Sequence, residues 1–322
     1  MKAIVQDRYG SEDVLNLREI DEPVIGEDEV LVRVHAAAVD RGVWHLMTGL
    51  PYLVRVVSGL RAPKARVPGT DLAGRVEAIG KNVTKFAPGE EVFGTCHGSF
   101  AEYARAREDK IEPKPANLSF EQAATVPVSG STALQGLRDA GKIQPGHKVL
   151  IIGAAGGVGT FAVQLATAFG ADVTGVCSTA KVDLVRSIGA EAVIDYTRDD
   201  FAETGQRYDL ILDIAGNRSL SHLRRALAPQ GTLVIAGGEK GGRWFGGIDR
   251  QLRAHTLSPF VAQKLGTFIT KPNSEDLAVL KELIEAGKLT PAIDRTYPLD
   301  EVPAAIRYLH QGRARGKVAI TL

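Results

Sequence analysis

Cysteine is almost missing from this chain: Cys96 and Cys177 are the two among 322 residues. Two cysteines without C-x-x-C spacing exclude a disulfide scaffold and suit a reducing compartment, so a cytoplasmic location is expected. Excess charge of one sign is missing as well. Lys plus Arg number 39 against 38 Asp plus Glu, a formal net charge of +1. No bulk field therefore draws nucleic acid or an anionic membrane, and neither is an expected partner. No apolar stretch approaches the roughly 18 residues of a membrane span. The segment Met1-Lys2-Ala3-Ile4-Val5-Gln6 breaks its apolar run early, so no targeting segment is expected. Internal repeats, low-complexity tracts and long charge blocks are absent too, which leaves array and linker architectures without support.

What is present has the balance of a packed protein. Hydrophobic residues make up 44% and charged residues 24% of a 34.4 kDa chain, a length that suits two domains, each with its own core. Up to about residue 115, short alternating or apolar runs (30–37, 74–79, 91–94, 100–104) are punctuated by Gly, Pro and Asp, as in a mainly β domain. From about residue 120 the rhythm changes to strand candidates alternating with stretches of helical period, a βαβ pattern. The strand candidates are 148–153, 172–177, 192–196, 208–214, 231–236 and 266–270. Six of them predict a doubly wound parallel sheet, with helices over 159–169, 181–188 and 219–227 on its faces. A helix over 274–286, capped by Ser274 and carrying Leu277, Leu280, Leu283 and Ile284 at helical spacing, is expected to close the sheet domain. After a short helix near 302–309, the apolar run 317–322 is expected to rejoin the first domain as a strand.

The run Val149-Leu150-Ile151-Ile152-Gly153-Ala154-Ala155-Gly156-Gly157-Val158-Gly159 leads from a buried strand straight into a helix. That context predicts a dinucleotide-binding turn, with the backbone at Ala155, Gly156, Gly157 and Val158 receiving a pyrophosphate. Its spacing is Gly-x-x-Gly-x-x-Gly, a variant in which Ala154 stands where the commoner fingerprint has a glycine. The second strand of such a sheet normally ends in an acidic residue that binds the ribose 2'-hydroxyl. Here it ends in Ser178-Thr179-Ala180-Lys181, a hydroxyl pair and a cation, which favours the 2'-phosphate of NADP over NAD. A second reading stays open, in which Ser178 caps the following helix and Lys181 is solvated.

These residues, together with Val67-Pro68-Gly69-Thr70-Asp71-Leu72-Ala73-Gly74, Pro88-Gly89-Glu90-Glu91-Val92-Phe93-Gly94, Gly98-Ser99-Phe100-Ala101-Glu102-Tyr103 and Ile188-Gly189-Ala190, carry a resemblance over essentially the whole chain. The chain resembles the zinc-independent branch of the medium-chain dehydrogenase/reductase superfamily, near the NAD(P)H quinone oxidoreductases. The resemblance implies an α/β architecture: a GroES-like β-barrel domain, residues 1–121 and 290–322, and a doubly wound Rossmann domain, residues 122–289. An active-site cleft where the two meet is implied, as is a homodimer joined through sheet edges at 266–270.

Zinc-dependent relatives offer a Cys and a Gly-His-Glu element as catalytic ligands, and four closely spaced cysteines for a structural zinc. The corresponding element here is Gly69-Thr70-Asp71 and there is no cysteine cluster, so no metal is expected. His45, Cys96 and His97 read as packing or surface residues. Without a Lewis acid, saturated alcohols are poor substrates, and quinones or α,β-unsaturated carbonyls, whose developing charge delocalises, fit better.

The resemblance places Asp40 and Tyr52 beside the nicotinamide. Many relatives have Asn at the position of Asp40 and Asp at that of Val43. Asp40 is a candidate for binding the carboxamide or ribose, and Tyr52 for donating a hydrogen bond or proton to the substrate oxygen. For Tyr52 the reading as a packed loop aromatic is equally open, Trp44 reads as packing, and His45 reads equally as a solvated helix residue. Ser129, Thr132, Tyr196, Gly237 and Lys317 match cofactor-side positions. The stretch 240–247, with Trp244 and Phe245, reads either as a mobile loop shaping an apolar substrate pocket or as a solvated loop. The expected function is an NADPH-dependent, metal-independent reductase of quinones or enones. The alternatives are a non-catalytic NADPH-binding scaffold or redox sensor and, third, an alcohol dehydrogenase with an unrecognised metal site.

Overall fold

Turn residues at close spacing cut the first third of the chain into short extended pieces. In the computed structural model, which describes residues 1–216, 218–238 and 242–322, these pieces become seven strands. They are β1 (Lys2–Gln6), β2 (Leu15–Glu19), β3 (Glu29–Val39), β4 (Asp71–Ile79), β5 (Glu91–Thr95), β6 (Tyr103–Arg107) and β7 (Ile111–Pro113). β1 and β2 form an antiparallel pair, while β3 is the spine of a larger sheet, bonded antiparallel to β4 and β6. β4 continues to β5 and β5 to β7. Alternation along β3 turns Val30, Val32 and Val34 into a core shared with Leu72, Val76, Val92 and Ile111. The strand expected over 100–104 begins later, at Tyr103, because Phe100 is occupied elsewhere: its carbonyl accepts from Ile4 N at 2.8 Å.

Beyond the helix Pro127–Leu134 the period changes, and the next strands are β8 (Lys148–Ile152), β9 (Asp172–Cys177), β10 (Ala192–Asp195), β11 (Tyr208–Asp213), β12 (Leu227–Ile235) and β13 (Lys264–Thr267). They form one parallel sheet in the order β10-β9-β8-β11-β12-β13. The order reverses between β8 and β11, the switch point at which open α/β sheets bind ligands beyond the carboxyl ends of their strands. Val149, Leu150, Ile151, Leu210, Ile211 and Leu212 are all buried, as central strands covered on both faces must be.

The chain returns as β14 (Ile293–Pro298), parallel to β15 (Lys317–Thr321). β15 pairs antiparallel with β3, setting Val318 opposite Val39, so the carboxyl tail completes the first sheet as its apolar run predicts. The chain forms two compact units, residues 1–131 with 271–322, and residues 132–270. This division differs from the boundaries at 121/122 and 289/290 expected from sequence. The helix Ser274–Glu285 belongs to the first unit: Asn117 Nδ2 donates to Ile284 O at 2.9 Å, and Leu277, Leu280 and Ile284 are buried. Its cap is Asn273, whose Oδ1 accepts from Asp276 N at 2.8 Å, and Ser274 is the first helical residue instead. Among the described residues no helix is long and apolar enough to cross a membrane.

Candidate functional site

The glycine turn after β8 is shaped by close approach. Gly153 has φ +91°, a left-handed conformation that favours glycine. A Cβ on Gly159 would lie 2.1 Å from the carbonyl oxygen of Gly153, so only glycine lets this helix start against the strand end. The helix runs Gly157–Ala168 with Gly156 at its N-cap position, which leaves the first-turn amides of Gly157 and Val158 without intrahelical partners. The Gly156 amide closes the turn on Gly153 O at 3.1 Å, while Ala154 N bonds across to Val176 O. A turn of glycine and alanine only, at the switch point and on a helix N-terminus, fits a pyrophosphate.

At the tip of β9, Ser178 occupies the N-cap position of the turn Thr179–Lys181 but its side chain makes no capping hydrogen bond. That observation speaks against the capping reading and leaves the hydroxyl for a ligand. Tyr196, after β10, is 50% exposed. The sequence places no carboxylate on the tip itself, yet the fold brings one from the neighbouring strand. Asp195, whose Cα register partner is Cys177, accepts from Thr179 Oγ1 at 2.5 Å and from Thr197 Oγ1 at 2.7 Å.

At the ends of β11 and β12, Asp213 is fully buried, its Oδ2 lying 2.6 Å from Arg250 Nη1 and its Oδ1 accepting from Gly216 N at 3.1 Å. Arg250, on the helix Ile248–Leu257, also donates to the carbonyls of Arg218 at 2.8 Å and Gly237 at 2.9 Å. Burial raises the Asp213 carboxyl, against the opposing pull of the Arg250 guanidinium. Gly237 sits so close to the β11 end that a Cβ would meet Ile214 O at 1.8 Å. Thr132 pairs its hydroxyl with that of Thr270 at 2.9 Å. Lys240 and Gly241 of the expected loop lie outside the described residues; Trp244 and Phe245 are exposed.

In the β unit, Asp40 is the N-cap of the helix Arg41–Thr48, accepting from Val43 N at 3.0 Å and, through Oδ2, from Thr70 Oγ1 at 3.3 Å. Tyr52 opens the turn Tyr52–Val54, and the Arg55 guanidinium lies 4.8 Å from its ring centroid. Trp44 stacks on His310 at 4.6 Å between centroids, and the His45 ring is held to Leu50 O at 2.7 Å. Ser129 and Lys317, both sequence candidates, come together: Lys317 Nζ donates to Ser129 Oγ at 3.0 Å. The third member is Asp71, which sequence reasoning took only as an absent zinc ligand. Its Oδ2 lies 3.4 Å from Lys317 Nζ and its Oδ1 accepts from Val128 N at 3.0 Å, with Asp71 at 0% and Lys317 at 2% exposure. Burial lifts the Asp71 carboxyl to about 7, Lys317 opposing the rise and Asp40 adding to it. The signals that could have exposed these pairs were a carboxylate opening apolar β4 and another ending apolar β11.

A parallel sheet with a glycine-rich turn at its switch point, in a chain that adds a separate β unit, is the architecture of dinucleotide-binding two-domain oxidoreductases. Comparison with known proteins agrees. Residues 26–116 match the alcohol dehydrogenase GroES-like domain, and residues 188–320 the domain described as zinc-binding dehydrogenase. The 2-methylene-furan-3-one reductase of Solanum lycopersicum is 35% identical, over 99% of this chain and 79% of its own length. The chloroplastic NADPH-dependent alkenal/one oxidoreductase of Arabidopsis thaliana is 32% identical over the same shares. The solved quinone oxidoreductase of Coxiella burnetii superposes with a TM-score of 0.84 at 28% identity, covering 100% of this chain and 99% of that one. The chain belongs to the medium-chain dehydrogenase/reductase superfamily, with quinone and alkenal oxidoreductases as its relatives, and is an NAD(P)H-dependent oxidoreductase.

Proposed function

We propose that this protein is an NADPH-dependent, zinc-independent reductase of quinones or α,β-unsaturated carbonyls. The observation that carries the reading is the state of Gly69-Thr70-Asp71. Where zinc-dependent relatives present His and Glu, this chain has a hydroxyl bonded to Asp40 and a carboxylate tied to the Lys317 ammonium and the Val128 amide. That is not a zinc donor set. Reduction without a Lewis acid suits acceptors whose charge spreads as an enolate or hydroquinone anion. The names of the two curated relatives refer to a methylene-furanone and to alkenals or alkenones, which are conjugated carbonyls.

When bound, a reduced nicotinamide supplies the hydride. The chain's own residues bind and orient: the turn at Ala155, Gly156, Gly157 and Val158 receives the pyrophosphate, and Ser178, Lys181 and Tyr196 receive the adenosine phosphate. Gly237 and Thr132 border the nicotinamide, with Ser129 and Lys317 supplying further donors. Asp40 orients the carboxamide or ribose, and the Tyr52 hydroxyl donates to the substrate oxygen. Assay of chelator-treated protein with NADPH and NADH against quinones and 2-alkenals tests this, with NADPH consumption the expected result and failure to bind NADPH the result that overturns it.

A second reading, a non-catalytic NADPH-binding scaffold or redox sensor, draws support from Asp40, whose carboxylate serves as a helix cap, and from Tyr52, whose ring face is taken by Arg55. NADPH binding without turnover on any acceptor would favour it. We also propose a homodimer through the edge strand β13 and the residues after it, where Ile269 is exposed. A reducing, cytoplasmic location is proposed too, consistent with Cys96 and Cys177 being free buried thiols.

A further inference from the structure

Beside the β9 tip, two threonine hydroxyls converge on one carboxylate. Asp195 accepts from Thr179 Oγ1 at 2.5 Å, from Thr197 Oγ1 at 2.7 Å and from the Thr197 amide at 3.0 Å. Those hydrogen bonds, the one from Thr179 foremost, hold its carboxyl below the ordinary range, so it is an anion at neutral pH. An ionised carboxylate only accepts, and each hydroxyl has one proton to give. Both protons are therefore spent on Asp195, and the 3.0 Å approach of the two threonine oxygens is left without a hydrogen to share. Thr179 and Thr197 are exposed, so what this corner offers a ligand is acceptor lone pairs backed by a negative charge. A ribose 2'-hydroxyl, which can donate, matches such a surface. A 2'-phosphate, an acceptor with about two negative charges, does not. Ser178 and Lys181 on the same tip pull the other way.

We propose that Asp195 is a specificity-determining residue that restrains the preference for a 2'-phosphate, so that the protein accepts NADH alongside NADPH. The proposal rests on the assignment of the β9 tip as the adenosine-phosphate site. Asp195→Asn keeps the shape, removes the charge and supplies an amide donor, which frees the Thr179 proton. Dissociation constants for NADPH and NADH are measured by titration of wild type, D195N, T179V and K181E. D195N is expected to tighten NADPH about tenfold and leave NADH within about twofold, the gain shrinking at 1 M salt. T179V is expected to leave NADPH binding within about twofold of wild type, because its proton is committed elsewhere. An unchanged NADPH-to-NADH ratio in D195N, with K181E still weakening NADPH selectively, overturns the role of Asp195 and leaves the phosphate site standing. A tenfold loss of NADPH in T179V overturns the hydroxyl argument. Equal effects of K181E on both dinucleotides, or no binding of either by wild type, overturn the site assignment and the inference with it.

Discussion

Among the described residues, each compact unit buries one carboxylate completely and answers it with one cation, but in different ways. Asp213 faces a guanidinium at 2.6 Å whose two terminal nitrogens also hold two backbone carbonyls, so one side chain satisfies three acceptors. Asp71 faces a lysine ammonium at 3.4 Å, helped by a serine hydroxyl on the lysine and one backbone amide. The planar fork fixes geometry, whereas the point charge leaves the pair loose. The arginine pair thus belongs to the architecture of the strand ends. The lysine pair sits among sequence candidates for cofactor contact and holds a carboxyl that titrates near neutrality, at about 7.

The largest expected effect comes from Arg250→Ala, which strands a buried carboxylate and orphans the carbonyls of Arg218 and Gly237. A loss of about 3–5 kcal/mol in urea unfolding is expected; a loss under about 1 kcal/mol would mean the pair is not structural.

Asp71→Asn probes the other pair through pH. Burial raises this carboxyl from 3.8 to about 7, so between those values the folded chain holds a proton that the unfolded chain has released. Stability from this group therefore falls as pH rises from about 4 to about 7 and is flat outside that window, a change on the order of a few kcal/mol. Unfolding midpoints of wild type and D71N across that range should differ by this slope. Parallel curves would place the titration elsewhere.

Lys317→Met should cost less than loss of Arg250, about 2 kcal/mol, because Asp71 can take up a proton in place of its cation. The cost should be greater at pH 8 than at pH 6, where the carboxyl is already largely protonated; a pH-independent cost would equate the two pairs. Arg250→Lys should show the smallest effect, about 1 kcal/mol, since one ammonium keeps the charge but cannot reach all three acceptors. If R250K matched R250A, charge alone would not be what the site retains.

Much of the architecture is legible without coordinates, because period and punctuation are local. The glycine turn after β8, the six parallel strands and the return of 317–322 to the first sheet all follow from runs of adjacent residues. The cap at Asn273 lies one residue, and the start of β6 three residues, from the position the sequence suggests, the margin at which neighbouring side chains compete for the same backbone groups. The helix Ser274–Glu285 groups with the first unit, where its sequence suggests the parallel sheet, because an apolar stripe states that a helix packs and not on what.

The site divides along the same line. Residue types alone established a glycine-rich turn from strand to helix, a second strand ending without its own carboxylate, and a Gly-Thr-Asp element where metal-dependent relatives carry ligands. Which polar groups meet was decided only by tertiary closure: Lys317 joins Asp71 across 246 positions, Arg250 joins Asp213 across 37, and Thr179 joins Asp195 across 16. A charged side chain in the sequence announces a need for a partner. The partner's identity depends on which strand ends the sheet order brings together, and there burial makes the choice costly enough to be unique.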